Sequence, residues 1–316
     1  MKALLAPGQG SQKPGMLTPW LEAPGVRDRL TAWSEIAGID LVRLGTVAEA
    51  DEITDTSVTQ PLVVASALVA YRMLRDGDGD GTGSGTGDDA RAGASGSGIT
   101  AGHSIGELAA AAIAGVLTDE QAVRLAAVRG REMARACAIE PTGMTALLGG
   151  DEAEVLDRLA ELDLTPANRN AQGQIVAAGT QAALDELAAA PPARARLRPL
   201  AVAGAFHTRH MAPAREAFAQ VAAQITPSDP AMPLLSNKDG ALVTTGTDAM
   251  QRLVDQITSP VRWDLCSAAL RDAEVTAIVE LPPAGTLVGI AKRALRGVPS
   301  AAVNAPADLD ALPVPA

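Results

Sequence analysis

The 316-residue sequence predicts an α/β protein, a large parallel-sheet body carrying a smaller inserted subdomain. Three observations lead there. Short apolar runs of strand length alternate with longer helical ones, the pattern of a parallel sheet covered by helices. One such run enters a Gly-x-Ser-x-Gly turn at Gly102–Gly106 and leaves it as a helix-forming segment, the layout of a strand–elbow–helix unit. Residues 141–203 carry their own short strand and helix patterns, as an insert would.

In chain order, Met1–Ala6 is a short apolar strand. It runs into Pro7-Gly8-Gln9-Gly10-Ser11-Gln12, a Gly-rich turn whose backbone N–H groups are free to face a ligand oxygen. The Gly-x-x-x-x-Gly-Lys pattern of a phosphate loop is missing from it. Gln60–Leu74 reads as a buried helix. Residues 76–98 are Gly, Asp, Ser and Thr with nothing large to bury, so a flexible surface loop is expected. Their Asp-Gly alternation lacks the period of calcium-binding repeats. Leu108–Leu117 is apolar and strongly helix-forming, and a further helix holds Ala126–Met133. In the insert, Met144–Leu148, Gln174–Ala178 and Arg196–Val202 read as strands, and Glu152–Leu162 and Gln181–Ala189 as helices. These supply three of the four strands of a β-α-β-β-α-β, ferredoxin-like unit. The body then comprises 1–140 and 204–316, the insert 141–203, and the tail from Pro306 is expected to fray.

Composition narrows the function. Apolar residues make up 47% of the chain and aromatics 2%, so the core rests on Ala, Leu and Val. A net charge of −11 argues against non-specific nucleic-acid binding. No uninterrupted apolar run approaches the ~20 residues of a membrane span. Met1 and Lys2 precede only four apolar residues before Pro7, too few for a signal peptide. Cys137 and Cys266 lie far apart without metal or redox spacing and read as inert core thiols. A cytoplasmic protein without a metal site is the expectation.

The chemistry centres on Gly102-His103-Ser104-Ile105-Gly106-Glu107. Such an elbow exposes Ser104 at a helix N-terminus, where negative charge developing on a substrate oxygen is favoured. A serine needs a base to take its proton. The chain holds three histidines: His103, inside the elbow, and His207 and His210. His207, approached by Ala205 and Phe206, is the better candidate for a positioned ring, although both can also be read as surface residues. Arg129, on a mostly apolar helix, is either a solvated or paired residue or a bidentate carboxylate clamp.

Together these segments resemble the malonyl-CoA:acyl carrier protein transacylase family. The resemblance runs through nearly the whole chain. It covers Ala6–Gln12, Thr59–Pro61, the elbow, the Arg129 helix, Pro141–Met144, Asn168–Asn170 and Gln174–Gly179. It continues through Gly204–Thr208, Ser236–Gly240 and Ser259–Trp263. It implies an α/β-hydrolase-like body with a ferredoxin-like subdomain and a substrate cleft between them. It implies Ser104 as the acyl carrier, His207 as base and then acid, and backbone N–H groups of Gln9 and Ile105 as the oxyanion hole. Arg129 would hold the malonyl carboxylate. Gln256 aligns with a residue that orients the histidine through its backbone carbonyl, so the site is a dyad without a third acid. Gln60, Asn168 and Asn170 align with polar residues near the site. Ile105 and Phe206 match the malonyl-type signature, Phe206 filling the space an extra methyl would need. One methyl is worth only about 1–3 kcal/mol in an apolar pocket.

The resemblance further implies malonyl-CoA as donor, the phosphopantetheine thiol of an acyl carrier protein as acceptor, no cofactor, and a monomer. Carrier proteins of this kind are acidic, so docking on this acidic chain needs a local basic patch. Lys13, Arg209, Lys238 and the run Lys292–Arg296 are the candidates, the last also readable as a helix end. The competing reading is an acyl-thioester hydrolase that edits carrier-bound groups. Arg129 speaks against it, because a carboxylate clamp is useless to simple acyl chains. A non-catalytic docking module is a third reading, opposed by the presence of both Ser104 and His207.

Overall fold

The computed structural model describes residues 1–77 and 98–312. The segment 76–98 expected as a flexible loop therefore lies outside the described residues except at its ends. The chain opens with β1 (Lys2–Ala6), α1 (Val26–Ala37), α2 (Leu41–Thr46), α3 (Ala50–Thr54) and α4 (Thr56–Gly77). β2 (Gly98–Gly102), α5 (Gly106–Ile113) and α6 (Asp119–Cys137) follow. The next stretch holds β3 (Thr142–Gly149), α7 (Glu152–Glu161), β4 (Thr165–Ala171), β5 (Gln174–Thr180), α8 (Gln181–Ala189) and β6 (Ala195–Pro199). After it come α9 (Ala212–Ala222), β7 (Leu234–Leu235), β8 (Leu242–Val243), α10 (Gly246–Gln256) and α11 (Trp263–Asp272). The chain closes with β9 (Ala277–Glu280), α12 (Thr286–Ala294), β10 (Ser300–Ala302) and α13 (Pro306–Asp310).

The body is a sheet in the order β10-β9-β1-β2-β7-β8, parallel throughout except that β8 runs against β7. Its strands are apolar on both faces because helices cover both. The central β1 and β2 run side by side, with Ala6 opposite Gly102. That register sets the Gly-rich turn after β1 beside the serine elbow after β2, at the strand C-termini where α/β sheets bind ligands.

α4 is long and apolar enough, by length and composition, to cross a bilayer, yet 72% of its apolar window is buried. Leu62 through Ala70 are buried without a break, so it is the central core helix under α5 and α6. α6 starts at a capping box in which Thr118 and Gln121 bond each other's backbone N–H groups.

The second sheet is antiparallel, in the order β4-β5-β3-β6. That is the arrangement of a β-α-β-β-α-β unit, with α7 and α8 packed through Val155, Leu159, Leu184 and Leu187 on one face. The strand that sequence reading did not find is β4, Thr-Pro-Ala-Asn-Arg-Asn-Ala. Its Asn168-Arg169-Asn170 run gives it no apolar alternation, and it is irregularly paired, with register breaks between Pro166 and Asn168 and between Arg169 and Ala171. It also sews the insert to the body: Val261 N–H donates to Ala167 O and Arg169 N–H donates to Val261 O, each at 2.9 Å.

Two boundaries differ from expectation. β6 ends at Pro199 rather than Val202, since the backbone beyond it turns toward His207. Of the tail expected to fray, Pro306–Asp310 forms α13, begun by Pro306 and capped by Asp308, whose carboxylate accepts from Asn304 and Ala305 N–H, while 313–316 lie outside the described residues.

Candidate active site

Ser104 sits between β2 and α5 with φ +51°, in the left-handed region. Such a non-glycine conformation costs about 1–3 kcal/mol and persists only where its surroundings enforce it. Here they do. A Cβ on Gly102 would come within 2.0 Å of the Gly106 backbone, and one on Gly106 within 2.3 Å of Ala6 O. The turn is thus too tight for side chains at either end. Asn237, fully buried, ties it from behind: its Oδ1 accepts from Ser104 N–H and its Nδ2 donates to Gly102 O, both at 2.8 Å.

His207 also has a left-handed backbone, φ +62°, which swings its ring back toward the elbow. Nε2 lies 2.7 Å from Ser104 Oγ. Nδ1 lies 2.8 Å from Gln256 O at the end of α10. A carbonyl only accepts, so Nδ1 carries the proton and Nε2 presents its lone pair to the serine hydroxyl. Burial, and then the positive Arg129, hold the ring's pKa down at about 3. The imidazole is therefore neutral at pH 7 and ready to take a proton.

Arg129 projects from α6 to the same place. Nη1 donates to Gln60 Oε1 at 2.8 Å, and Nη2 donates to Gln256 Oε1 at 2.9 Å and to Ser104 Oγ at 3.3 Å. The guanidinium is almost completely buried, and every one of these partners is a neutral oxygen. Burial lowers its pKa to about 10, which still leaves it charged at neutral pH. A buried cation aimed at the nucleophile and held by neutral groups is suited to an acyl group that brings its own negative charge.

The remaining predicted residues fall as follows. The backbone N–H groups of Gln9 and Ile105 make no hydrogen bond among the described residues. The Gln9 side chain is held by Thr56 Oγ1 at 3.1 Å. Phe206 is buried immediately before His207. Asn170 reaches the elbow through His103, whose Nε2 lies 2.9 Å from Asn170 Oδ1, with Trp263 tilted against the ring. Asn168 is buried in the bridge to Val261 and joins none of the hydrogen bonds around Ser104, His207 and Arg129. Gln60 meets Arg129 rather than Ser104 or His207. His210 faces Glu140 at 3.1 Å. Cys266 is a buried thiol as expected, whereas Cys137 is only partly buried. No group of three or more His, Cys, Asp or Glu able to hold a metal ion occurs among the described residues.

A family model described as "Acyl transferase domain" matches residues 4–307. The chain belongs to the acyl transferase domain family. The malonyl CoA-acyl carrier protein transacylase of Mycobacterium tuberculosis is 60% identical over 312 residues, 99% of each chain. The crystal structure of MCAT from M. tuberculosis superposes with a TM-score of 0.92 at 60% identity, covering 98% of this chain and 99% of that one. A type II PKS acyl-carrier protein in complex with its malonyl-transacylase, PlMCAT:AntF, matches with a TM-score of 0.85 at 30% identity, covering 98% and 97%.

Two residues of this acyl transferase site escaped sequence reading. Asn237 lies in the Ser236–Gly240 motif, where the sequence assigns it no role, yet it holds the elbow. Glu107 closes the elbow motif itself, and its side chain is buried one helical turn behind Ser104. It accepts from Asn237 N–H at 2.6 Å and, in a very short contact, from Gln256 Nε2. Burial raises its pKa to about 7. No spacing rule announces either residue, because each acts on partners far away in the chain.

Proposed function

We propose that the protein transfers the malonyl group of malonyl-CoA to the phosphopantetheine thiol of an acyl carrier protein, through an ester on Ser104. The observation that carries the reading is Arg129, a buried guanidinium held by neutral oxygens 3.3 Å from Ser104 Oγ. An acyl group with a free carboxylate matches it, and a simple acyl chain does not. The relatives' names and the carrier-protein complex among the similar structures support the same donor and acceptor.

The steps balance with the groups at hand. His207 Nε2 takes the Ser104 Oγ proton as the oxygen attacks the thioester carbonyl. The carbonyl π pair moves onto oxygen, where Gln9 and Ile105 N–H receive it, each such donor being worth about 3–4 kcal/mol in measured oxyanion holes. The C–S bond then breaks, and His207 gives its proton to the departing thiolate. In the second half the carrier's thiol loses its proton to His207, attacks the ester, and expels Ser104 Oγ, which takes the proton back. Gln256 O holds the ring for both transfers. Gln60 supports Arg129, Asn170 steadies the elbow through His103, and Phe206 lies where an α-methyl would crowd. For Asn168 we propose a part in joining insert to body along the cleft. We take 1–140 with 204–316 as the body and 141–203 as the insert, supported by the two separate sheets. The cycle needs no cofactor, and we place it in a cytoplasmic monomer.

A basic docking patch is supported by the insert's edge strand. Arg196 pairs in register with Leu148 and Arg198 with Ala146, so they share the sheet face of Ala146 and Val176, which packs on the body. Gln174, two strands from Arg196 in the same row, accepts from Arg293 of α12. Arg196, Arg198, Lys292, Arg293 and Arg296 are exposed and form no ion pair among the described residues. Arg209, by contrast, is paired with Asp163. Mixing the protein with malonyl-CoA and a holo carrier protein tests the whole reading: malonyl-carrier should form faster than free malonate, and malonate as the main product would make it a hydrolase.

A further inference from the structure

The nucleophile, the base and the clamp all bond to one residue, Gln256. Its backbone carbonyl holds His207, its Oε1 accepts from Arg129, and its Nε2 donates to Ser104 O at 3.0 Å. A glutamine amide can sit either way round, and the reversed orientation here would set its NH2 group against the Arg129 guanidinium, donor against donor. What decides the orientation is the other end of the amide. Nε2 also donates to the Glu107 carboxylate, an acceptor with no proton to give when ionised. The second oxygen of that carboxylate is occupied by Asn237 N–H at 2.6 Å, which fixes the carboxylate in turn. The result is a chain of carboxylate, amide and guanidinium in which, with Glu107 ionised, an anion at one end and a cation at the other agree on a single amide orientation.

We propose that Glu107 is a positioning residue for malonyl transfer: through Gln256 it sets the aim of the Arg129 guanidinium at the acyl carboxylate. The malonyl specificity of the site would then depend on an acid that touches neither substrate nor His207. Burial works against ionised Glu107, while Asn237 N–H, Gln256 and the charge of Arg129 work for it. Glu107 and Arg129 are thus coupled electrostatically as well as through the hydrogen bonds of Gln256. The inference rests on the malonyl reading above.

Glu107→Gln tests it, because the new amide cannot satisfy both neighbours. If its NH2 faces Gln256, that amide must reverse and reject Arg129; if its NH2 faces Asn237 N–H, two donors meet there instead. In the full-length enzyme, kcat/KM for malonyl-CoA should fall about 10- to 100-fold, the scale of a small misplacement in a preorganised site. Acetyl-CoA, which offers Arg129 nothing, should lose much less, so the malonyl-to-acetyl ratio drops. In an Arg129→Ala background the same change should cost malonyl transfer less than about twofold, because coupled residues do not add. Equal losses for both thioesters, or full additivity with Arg129→Ala, would overturn the proposal by making Glu107 a mere structural support. Should Glu107→Gln not fold, Gln256→Ala removes the middle of the chain but keeps the carbonyl for His207. An unchanged malonyl-to-acetyl ratio there overturns the proposal equally. A wild type with no malonyl preference would bring down the substrate reading and this inference together. A wild-type preference that survives Glu107→Gln brings down this inference alone.

Discussion

Arg129 Nη2 and His207 Nε2 meet the same oxygen, Ser104 Oγ, at 3.3 and 2.7 Å. The hydroxyl gives its hydrogen to the histidine and accepts one from the arginine. Arg129 thereby favours negative charge on Ser104 Oγ, and burial, with the Arg129 charge behind it, keeps His207 neutral. On the proposed reading, a malonyl carboxylate held by Arg129 would compete with Ser104 for that Nη2 donor, and binding substrate would free a lone pair of the nucleophile.

The covalent intermediate is the first expectation. Intact mass spectrometry after brief mixing with malonyl-CoA should show a malonyl-sized adduct on the wild type and none on Ser104→Ala. An adduct that persists in the alanine variant would assign the nucleophile elsewhere.

His207 makes a second prediction, about pH. Its folded pKa of about 3 lies below the ordinary 6.5. Between those values the unfolded chain binds a proton that the folded one does not, so stability falls as the pH drops through the window. Glu107 acts in the opposite sense: raised from 4.5 to about 7, it makes the fold lose stability as pH rises between them. Comparing melting temperatures of wild type and His207→Ala from pH 7 to pH 4 separates the two. The variant should gain on the wild type as pH falls. In activity, kcat/KM should show no acid limb at 6.5 from this residue, and a limb there would mean that the ring titrates like an exposed histidine.

Asn237→Ala should loosen the elbow. It leaves Ser104 N–H and Gly102 O without their partners in a buried turn, at about 1–3 kcal/mol for each unsatisfied group. Thermal unfolding should register the loss, and kcat should fall for malonyl-CoA and acetyl-CoA alike, since the fault lies in the nucleophile they share. A selective loss with one thioester would contradict this role.

The docking patch predicts a split between the two half-reactions. Reversing Arg196 and Arg198 to Glu should slow transfer from malonyl-Ser104 to the carrier, most at low salt, because rim charges act chiefly on association. Acylation by malonyl-CoA should suffer less. Equal slowing of both steps would remove these residues from carrier docking.

The elbow and His207 stood out in the sequence for local reasons, and the structure brings Ser104, His207 and Arg129 together. Gly102 and Gly106 are demanded by a turn too tight for a Cβ, and His207 was singled out because histidines are scarce in this chain. Glu107 and Asn237 were not legible, since they meet across 130 positions and neither type is unusual in a loop or helix. β4 hid for a related reason. Its polar Asn168, Arg169 and Asn170 face the body, Glu152 and the elbow rather than a uniform apolar layer, so no alternation marks it as a strand.

Arg129 provides the sharpest test of the substrate. In Arg129→Ala the malonyl carboxylate loses a buried, charge-assisted partner, and breaking one side of such a pair typically costs about 3–5 kcal/mol. That is roughly a few hundredfold or more in kcat/KM for malonyl-CoA, by the tenfold per 1.36 kcal/mol rule. Acetyl transfer should fall far less. Arg129→Lys keeps the charge but not the fork that reaches Gln60 and Gln256 together, and belongs between the two. The competing account makes Arg129 a packing residue that pins α6 to α4 and α10. It predicts that both thioesters lose activity together and that the melting temperature drops with them. The deciding measurement is the malonyl-to-acetyl ratio in a variant whose melting temperature is unchanged. If that ratio stays at the wild-type value, the guanidinium does not read the carboxylate, and the case for malonyl-CoA as donor loses the observation that carries it.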